Sequence, residues 1–426
     1  MMNSNATISD AIRAGKVLLL DGAMGTQLLA LTGDLVRSVK GNNESLNLSH
    51  PELIRRIHQS YVDAGADIIE TNSFGANAVV QADYGLAGEA RKMALEAARI
   101  ARGVADAAPR EIWVAGSIGP TGKSLSLVAD YARPEWRPLS FDEMASSYRE
   151  QIEALLEGGV DLIQIETCFD ALNAKAALYA LEQVHPGFPA IVSVSVSNAS
   201  GHTLTGQSLK AFYSSVASPN LMAFGLNCSM GAEGLVPIVK DLAAWCPSPI
   251  ICYPNAGLPN ARGEYDDTPE SMARQMAGLD GLVNIIGGCC GTTPAHIKAM
   301  PRLQARPVPE ADNRLTVSGL EAWTLSGDYE DSICHAANME LSPEFAAMMK
   351  AGEFEDAMYY VLDQMDENTA VLDINLDAMP DVPEAMERFV RLIQGTSRAA
   401  LWINSADRET ILAGEKNAQG KCYSTI

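Results

Sequence analysis

The chain has 426 residues, 47% of them hydrophobic and 20% charged, a globular balance that excludes wholesale disorder. Its 31 Lys and Arg stand against 53 Asp and Glu, and the net charge of −22 argues against nucleic acid as a partner. No apolar run approaches the roughly 18 residues that would span a membrane, and the N-terminal stretch lacks a basic-then-apolar signal pattern, so a soluble cytoplasmic protein is expected.

Apolar runs rich in Val and Ile recur along the first 300 residues. They are VLLLDGA from Val17, ADIIETN from Ala66, IWVAGSI from Ile112, DLIQIET from Asp161, AIVSVSV from Ala190, MAFGLNC from Met222, SPIICYPN from Ser248 and VNIIGGCC from Val283. Each is nearly continuous rather than alternating, as in parallel strands buried on both faces. Stretches of helical period lie between them. In Pro51 to Gly65, the apolar Leu53, Ile54, Ile57, Tyr61 and Val62 share one face. Pro51 suits a first helical turn and Gly65 the position after the last. Phe141 to Gly159, Leu235 to Trp245 and Pro269 to Leu279 repeat the design. Eight strands alternating with helices predict a (β/α)8 TIM barrel, an α/β fold. A doubly wound sheet would open with a G-x-G-x-x-G turn, and none follows the first strand.

PRLQARPVP, Pro301 to Pro309, reads as a linker. The expected division is therefore 1–305 and 306–426. Residues 311–426 hold 21 Asp and Glu against 8 Lys and Arg, a net of −13. SICHAAN, VLDINLD and ALWINS predict further strands, EFAAMMKAGEFEDAMYYVLDQM and PEAMERFVRLIQG predict helices, and KCYSTI reads as the start of another strand. This segment has the pattern of an incomplete α/β domain, about half a barrel.

Functional groups of a parallel barrel gather at the C-terminal ends of its strands. Here those ends carry Asp21, Glu70-Thr71-Asn72, Ser117, Glu166-Thr167, Asn227-Cys228, Asn255 and Cys289-Cys290. Cys228 ends the sixth strand and Cys289-Cys290 the eighth, two strands apart, so three sulfurs can converge on the rim. Three thiolates with one open position make a catalytic zinc site, because structural sites close with four ligands. A thiol entering the open position would lose its proton and become a nucleophile. Cys168, Cys246 and Cys252 read as buried small hydrophobes. The six histidines form no cluster and read as surface or satisfied core residues.

DGAMGT, ETNSFGAN, GSIGP, IET, GLNCS, YPNAG and GGCCGT occur in that order between Asp21 and Thr292. Together they resemble the homocysteine S-methyltransferase family, over about residues 10–305. The resemblance implies a methyl transfer that makes methionine from homocysteine, with Zn2+ held by Cys228, Cys289 and Cys290. It also implies that the Asp21-Gly22 turn and Glu166 hold the amino-acid end of homocysteine, with Asn72 and Asn227 beside them. The competing reading of Asp21 and Glu166 is a cap on the following helix. For Asn72 and Asn227 it is satisfaction of loop backbone. SFGAN after the second strand is closer to the cobalamin-dependent methionine synthase type. VSGLE, DINLD and INS in the C-terminal segment resemble the start of that enzyme's folate-binding barrel, although a structural role is favoured for Asp373 and Asn375. No D-x-H-x-x-G motif occurs, so a methylcorrinoid donor would be carried by a separate protein. Rival readings are a non-catalytic docking subunit and a methyltransferase for another thiol. Expected partners are homocysteine, a methyl donor, and either a second copy meeting through the C-terminal segment, as a homodimer, or a corrinoid- or folate-binding protein.

Overall fold

The computed structural model describes residues 7–261, 263–310, 314–325 and 329–425. All eight predicted strands form. They are β1 (Leu18–Leu19), β2 (Ile68–Glu70), β3 (Trp113–Ile118), β4 (Leu162–Cys168), β5 (Ala190–Val194), β6 (Leu221–Gly231), β7 (Ile250–Asn255) and β8 (Ile285–Ile286). The order runs β1-β8-β7-β6-β5-β4-β3-β2 with parallel pairing throughout. A single parallel bridge, Leu20 to Ile68, joins β1 to β2 and rounds the sheet into a barrel. Asp21 N–H donates to the Ile68 carbonyl at 3.0 Å across this seam.

Two apolar layers explain the continuous hydrophobic runs. Leu18, Leu20, Ile68, Trp113, Ala115, Leu162, Ile191, Ala223, Ile251 and Ile285 fill the barrel interior. Ile69, Val114, Ile163, Val192, Phe224 and Ile250 face outward beneath the helices. A strand between two apolar layers needs apolar residues at both parities. Gly225 marks where two strands press closest: a Cβ there would lie 1.8 Å from the Ile251 carbonyl oxygen. The predicted helices form at Pro51–Ala64, Phe141–Glu157, Ala232–Trp245 and Pro269–Met276. Gly65 ends the first of them in the left-handed region, at φ 110°.

The segment after Pro301 has no regular structure, yet it is anchored. Arg306 is buried and donates to the carbonyls of Ala243, Cys246 and Ser248 beneath the barrel. A short antiparallel hairpin follows, β9 (Thr316–Ser318) with β10 (Ala322–Thr324), which the pattern did not show. Then come four parallel strands in sequential order: β11 (Ile333–Asn338), β12 (Val371–Asn375), β13 (Ala400–Asn404) and β14 (Tyr423–Thr425). The long helical stretch between β11 and β12 is two helices, Pro343–Ala351 and Phe354–Gln364, broken at Gly352 with φ 79°. Asp373 and Asn375 sit on β12. The Asp373 carboxylate accepts from His335 Nδ1, Asn338 Nδ2 and Asn404 Nδ2 at 2.7–2.9 Å.

A parallel sheet with open edges needs cover, and the chain supplies part of it internally. Lys175, half-buried on the helix Ala171–Val184, donates to the carbonyls of Ala418 at 2.7 Å, Gly420 at 3.1 Å and Glu415 at 3.4 Å. Lys416 pairs with Asp142 at 2.8 Å, and Arg137 donates to the Arg391 carbonyl at 3.0 Å. Among the described residues, β11 and β14 each keep one edge without a strand partner. Lys175→Met keeps the stem and removes three charge-assisted bonds. It should loosen the C-terminal sheet by about 2–3 kcal/mol, read as faster amide exchange in residues 408–425 with the barrel unchanged.

Candidate active site

The carboxyl ends of the strands enclose a pocket of about 290 Å³. Its lining includes Asp21 to Thr26, Glu70 to Phe74, Ser117, Glu166, Thr167, Cys228, Cys289 and Cys290. The three cysteines are half-buried, and their sulfurs lie within 4.8 Å of one another. β6 delivers Cys228 and the turn after β8 delivers the other two, as their positions in the sequence require. The backbone is strained where it does so. Cys228 and Ser229 lie in the left-handed region at φ 55° and 60°, and Thr167 opposite them at φ 56°. Side chains hold these turns. Asn227 Oδ1 accepts from Thr167 N–H at 2.9 Å, while Asn227 Nδ2 donates to Thr167 Oγ1 at 2.8 Å. Ser229 Oγ accepts from Val196 N–H at 2.9 Å.

The thiols compete for one negative charge. Neighbouring Cys289 and Cys290 stabilise the thiolate of Cys228 and pull its pKa down to about 3. The same contacts push Cys289 and Cys290 upward. Three thiols this close ionise together only with a cation between them, so the donor set is suited to a soft divalent metal. Asn255 stands beside Cys228, and its buried Oδ1 has no hydrogen-bond partner.

Carboxylates occupy the other side of the pocket. Asp21 is 2% exposed. Its Oδ2 accepts from Glu70 N–H at 3.1 Å, and its Oδ1 has no partner. Glu166 accepts from Ser117 Oγ at 2.5 Å and from Tyr253 Oη at 3.4 Å, and burial raises its pKa to about 7. Neither residue is a helix cap. The next helices are Met24–Ser38, whose Ala23 cap position makes no side-chain bond, and Ala171–Val184, which Asp170 caps. The uncapped first turn of Met24–Ser38 lines the pocket and offers free N–H groups and a positive dipole end. Gly22 must stay bare, since a Cβ there would lie 2.8 Å from Thr292 Oγ1 and 2.9 Å from the Tyr61 ring.

The homocysteine S-methyltransferase family model matches residues 18–303, the whole barrel with its cysteines and carboxylates. The chain belongs to the homocysteine S-methyltransferase family. Solved structures of the homocysteine methyltransferase MmuM from Escherichia coli are similar. The oxidised form is 28% identical with a TM-score of 0.55, covering 66% of this chain and 94% of MmuM. The metallated form is 28% identical with a TM-score of 0.54, covering 68% and 96%.

Within this homocysteine S-methyltransferase, the structure brings Asp21, Gly22, Glu166, Cys228, Cys289 and Cys290 to one pocket, with Asn72 on its wall. Asn72 donates to the Asn43 carbonyl and to Asn47 Oδ1, each at 2.9 Å, so its amide serves the loop. Asn227 stands behind the rim, holding Thr167 and approaching Cys289 Sγ at 3.9 Å. Sequence reasoning left the layer beneath the rim without roles. Tyr253 Oη bonds Gln164 Nε2 at 2.9 Å and Ser193 Oγ at 2.5 Å, and Ser193 bonds Asn227 at 2.9 Å. The signal was a polar residue inside each apolar run. Cys168, Cys246 and Cys252 are buried as read. His58 corrects the reading of satisfied core histidines: it is fully buried and neither ring nitrogen has a partner. Burial pushes it to about 4, so the ring is neutral at pH 7. No helix among the described residues is long and apolar enough to cross a membrane.

Proposed function

We propose that the pocket binds homocysteine and that the protein is a zinc-dependent methyltransferase producing methionine. The observation that carries this reading is the convergence of three cysteine sulfurs with buried carboxylates and an uncapped helix N-terminus in one small pocket. Cys228, Cys289 and Cys290 would hold the zinc, with Asn255 Oδ1 as a fourth donor in the substrate-free protein. Bound there, zinc supplies a Lewis acid that lets the substrate thiol shed its proton near neutral pH. The first-turn N–H groups of Met24–Ser38 receive the substrate carboxylate. Asp21 and Glu166 receive the ammonium. Fixing both ends of the amino acid aims its side chain at the cysteines. The methyl donor approaches from the open mouth, where half-exposed Phe74 stands.

The test is metal analysis followed by calorimetry. One zinc per chain is expected, and homocysteine should bind the metal-loaded protein but not the chelated one. Methionine should then form with at least one donor among a methylcorrinoid protein, small sulfonium compounds and methylammonium compounds. A protein that retains no zinc, or binds homocysteine equally well without it, would overturn the reading.

A further inference from the structure

Glu70 ends β2 and lines the pocket beside Asp21 and Glu166, yet the proposed binding mode gives it no task. The three carboxylates influence one another: Asp21 and Glu166 both press on Glu70 electrostatically. No Lys, Arg or His lines the pocket among the described residues. Every hydrogen bond to the three carboxylates comes from a neutral group. Glu70 Oε1 accepts from Gln164 Nε2, Asp21 Oδ2 from Glu70 N–H, and Glu166 from Ser117 and Tyr253. Asp21 lines the pocket, and its buried Oδ1 accepts from nothing. Buried carboxyls without a cation are driven to hold their protons, and a cationic ligand between them would favour their ionised, accepting form. A primary ammonium brings one positive charge and three N–H donors.

We propose that Glu70 is the third acceptor of the substrate ammonium, alongside Asp21 Oδ1 and Glu166, and that Gln164 is the residue that positions it. The inference rests on the homocysteine reading of the pocket. Its consequence is specificity. Three converging acceptors match the three N–H bonds of a free α-ammonium, and removing or acylating the amine strands them. Gln164 is anchored by Tyr253 Oη at 2.9 Å, which fixes the amide that holds Glu70. A packing role at position 70 would be served as well by glutamine, which has the same shape and no charge.

That isostere is the test. Glu70→Gln and the wild type, both full-length and zinc-loaded, are titrated calorimetrically with homocysteine and with 4-mercaptobutyrate, its analogue without the amine. The wild type should strongly prefer homocysteine. Glu70→Gln should lose about tenfold or more in homocysteine affinity, the size of one charge-assisted contact, and bind 4-mercaptobutyrate as well as before or better. Gln164→Met, which preserves volume and removes the amide, should reduce the same preference by a smaller factor. Equal weakening toward both thiols would make Glu70 structural, and unchanged homocysteine affinity would remove it from the site. Either result overturns the assignment of Glu70 and leaves the homocysteine reading standing. A zinc-loaded wild type that binds neither thiol overturns both.

Discussion

Cys290→Ala protein should purify folded, without zinc, and without methyltransferase activity. Apparent binding free energies of zinc in four-ligand sites run about 10–16 kcal/mol, or roughly 3 kcal/mol per ligand, so losing one thiolate weakens binding by more than about 100-fold. The loss is worse here than in a closed four-cysteine site, because only three cysteines meet at this rim among the described residues. Cys290 is half-buried in the turn after β8 and outside the apolar clusters, so the barrel should melt close to the wild-type temperature in the absence of metal. Cys228→Ala and Cys289→Ala should behave alike. Metal analysis and a methionine-formation assay on the same preparation decide the matter. Full activity in any one of the three variants would sink the metal assignment.

Glu166→Gln should retain zinc and weaken homocysteine binding by about 10- to 100-fold, the worth of one charge-assisted hydrogen bond of about 1.5–3 kcal/mol. Burial raises the Glu166 carboxyl from its ordinary 4.5 to about 7. The sign follows from that direction. The carboxylate is present above pH 7 and is progressively protonated below it, so its part of ammonium capture fades as pH falls from 8 to 6. The glutamine variant should lack that part of the pH profile. Linkage runs the other way for stability. A carboxyl whose folded pKa is raised stabilises the fold while protonated, and that contribution is lost as pH rises from the unfolded value near 4.5 through 7. Glu166→Gln should therefore melt at the same temperature or higher at pH 8 while binding substrate less well. Unchanged homocysteine affinity across this range would take Glu166 out of the pocket.

Both variants touch residues that could be picked out from the chain alone, and the reason is local. Strands buried on both faces need apolar residues at every position, so eight such runs separated by helical stretches are legible without tertiary information. A polar or thiol residue at the end of such a run stands out. Asp21, Glu166, Cys228 and the Cys289-Cys290 pair were all visible this way, and the barrel rule brings strand ends together. The polar residues one layer deeper were less legible. Gln164, Ser193 and Tyr253 look like blemishes in apolar runs until the barrel closes and puts Gln164 and Ser193 each within 3 Å of Tyr253 Oη.

The sequence by itself determined the barrel, the acidic second segment and the three thiols, because those depend on periodicity and on the chemistry of single residues. Only the tertiary structure decided the rest. It showed that Asp21 keeps an unpaired oxygen rather than capping a helix, and that Glu70 joins Asp21 and Glu166 in the lining of the pocket. It showed that Thr167, Cys228 and Ser229 adopt left-handed turns, with Asn227 holding Thr167 from the neighbouring chain segment and Ser229 Oγ accepting from Val196 N–H. It also showed that Lys175 ties the second segment to the first across more than 200 residues of chain. Each of these depends on which atoms meet after the chain has closed on itself. Hydrogen-bond satisfaction is a property of a burial site and its neighbours, and a local pattern does not encode the neighbours.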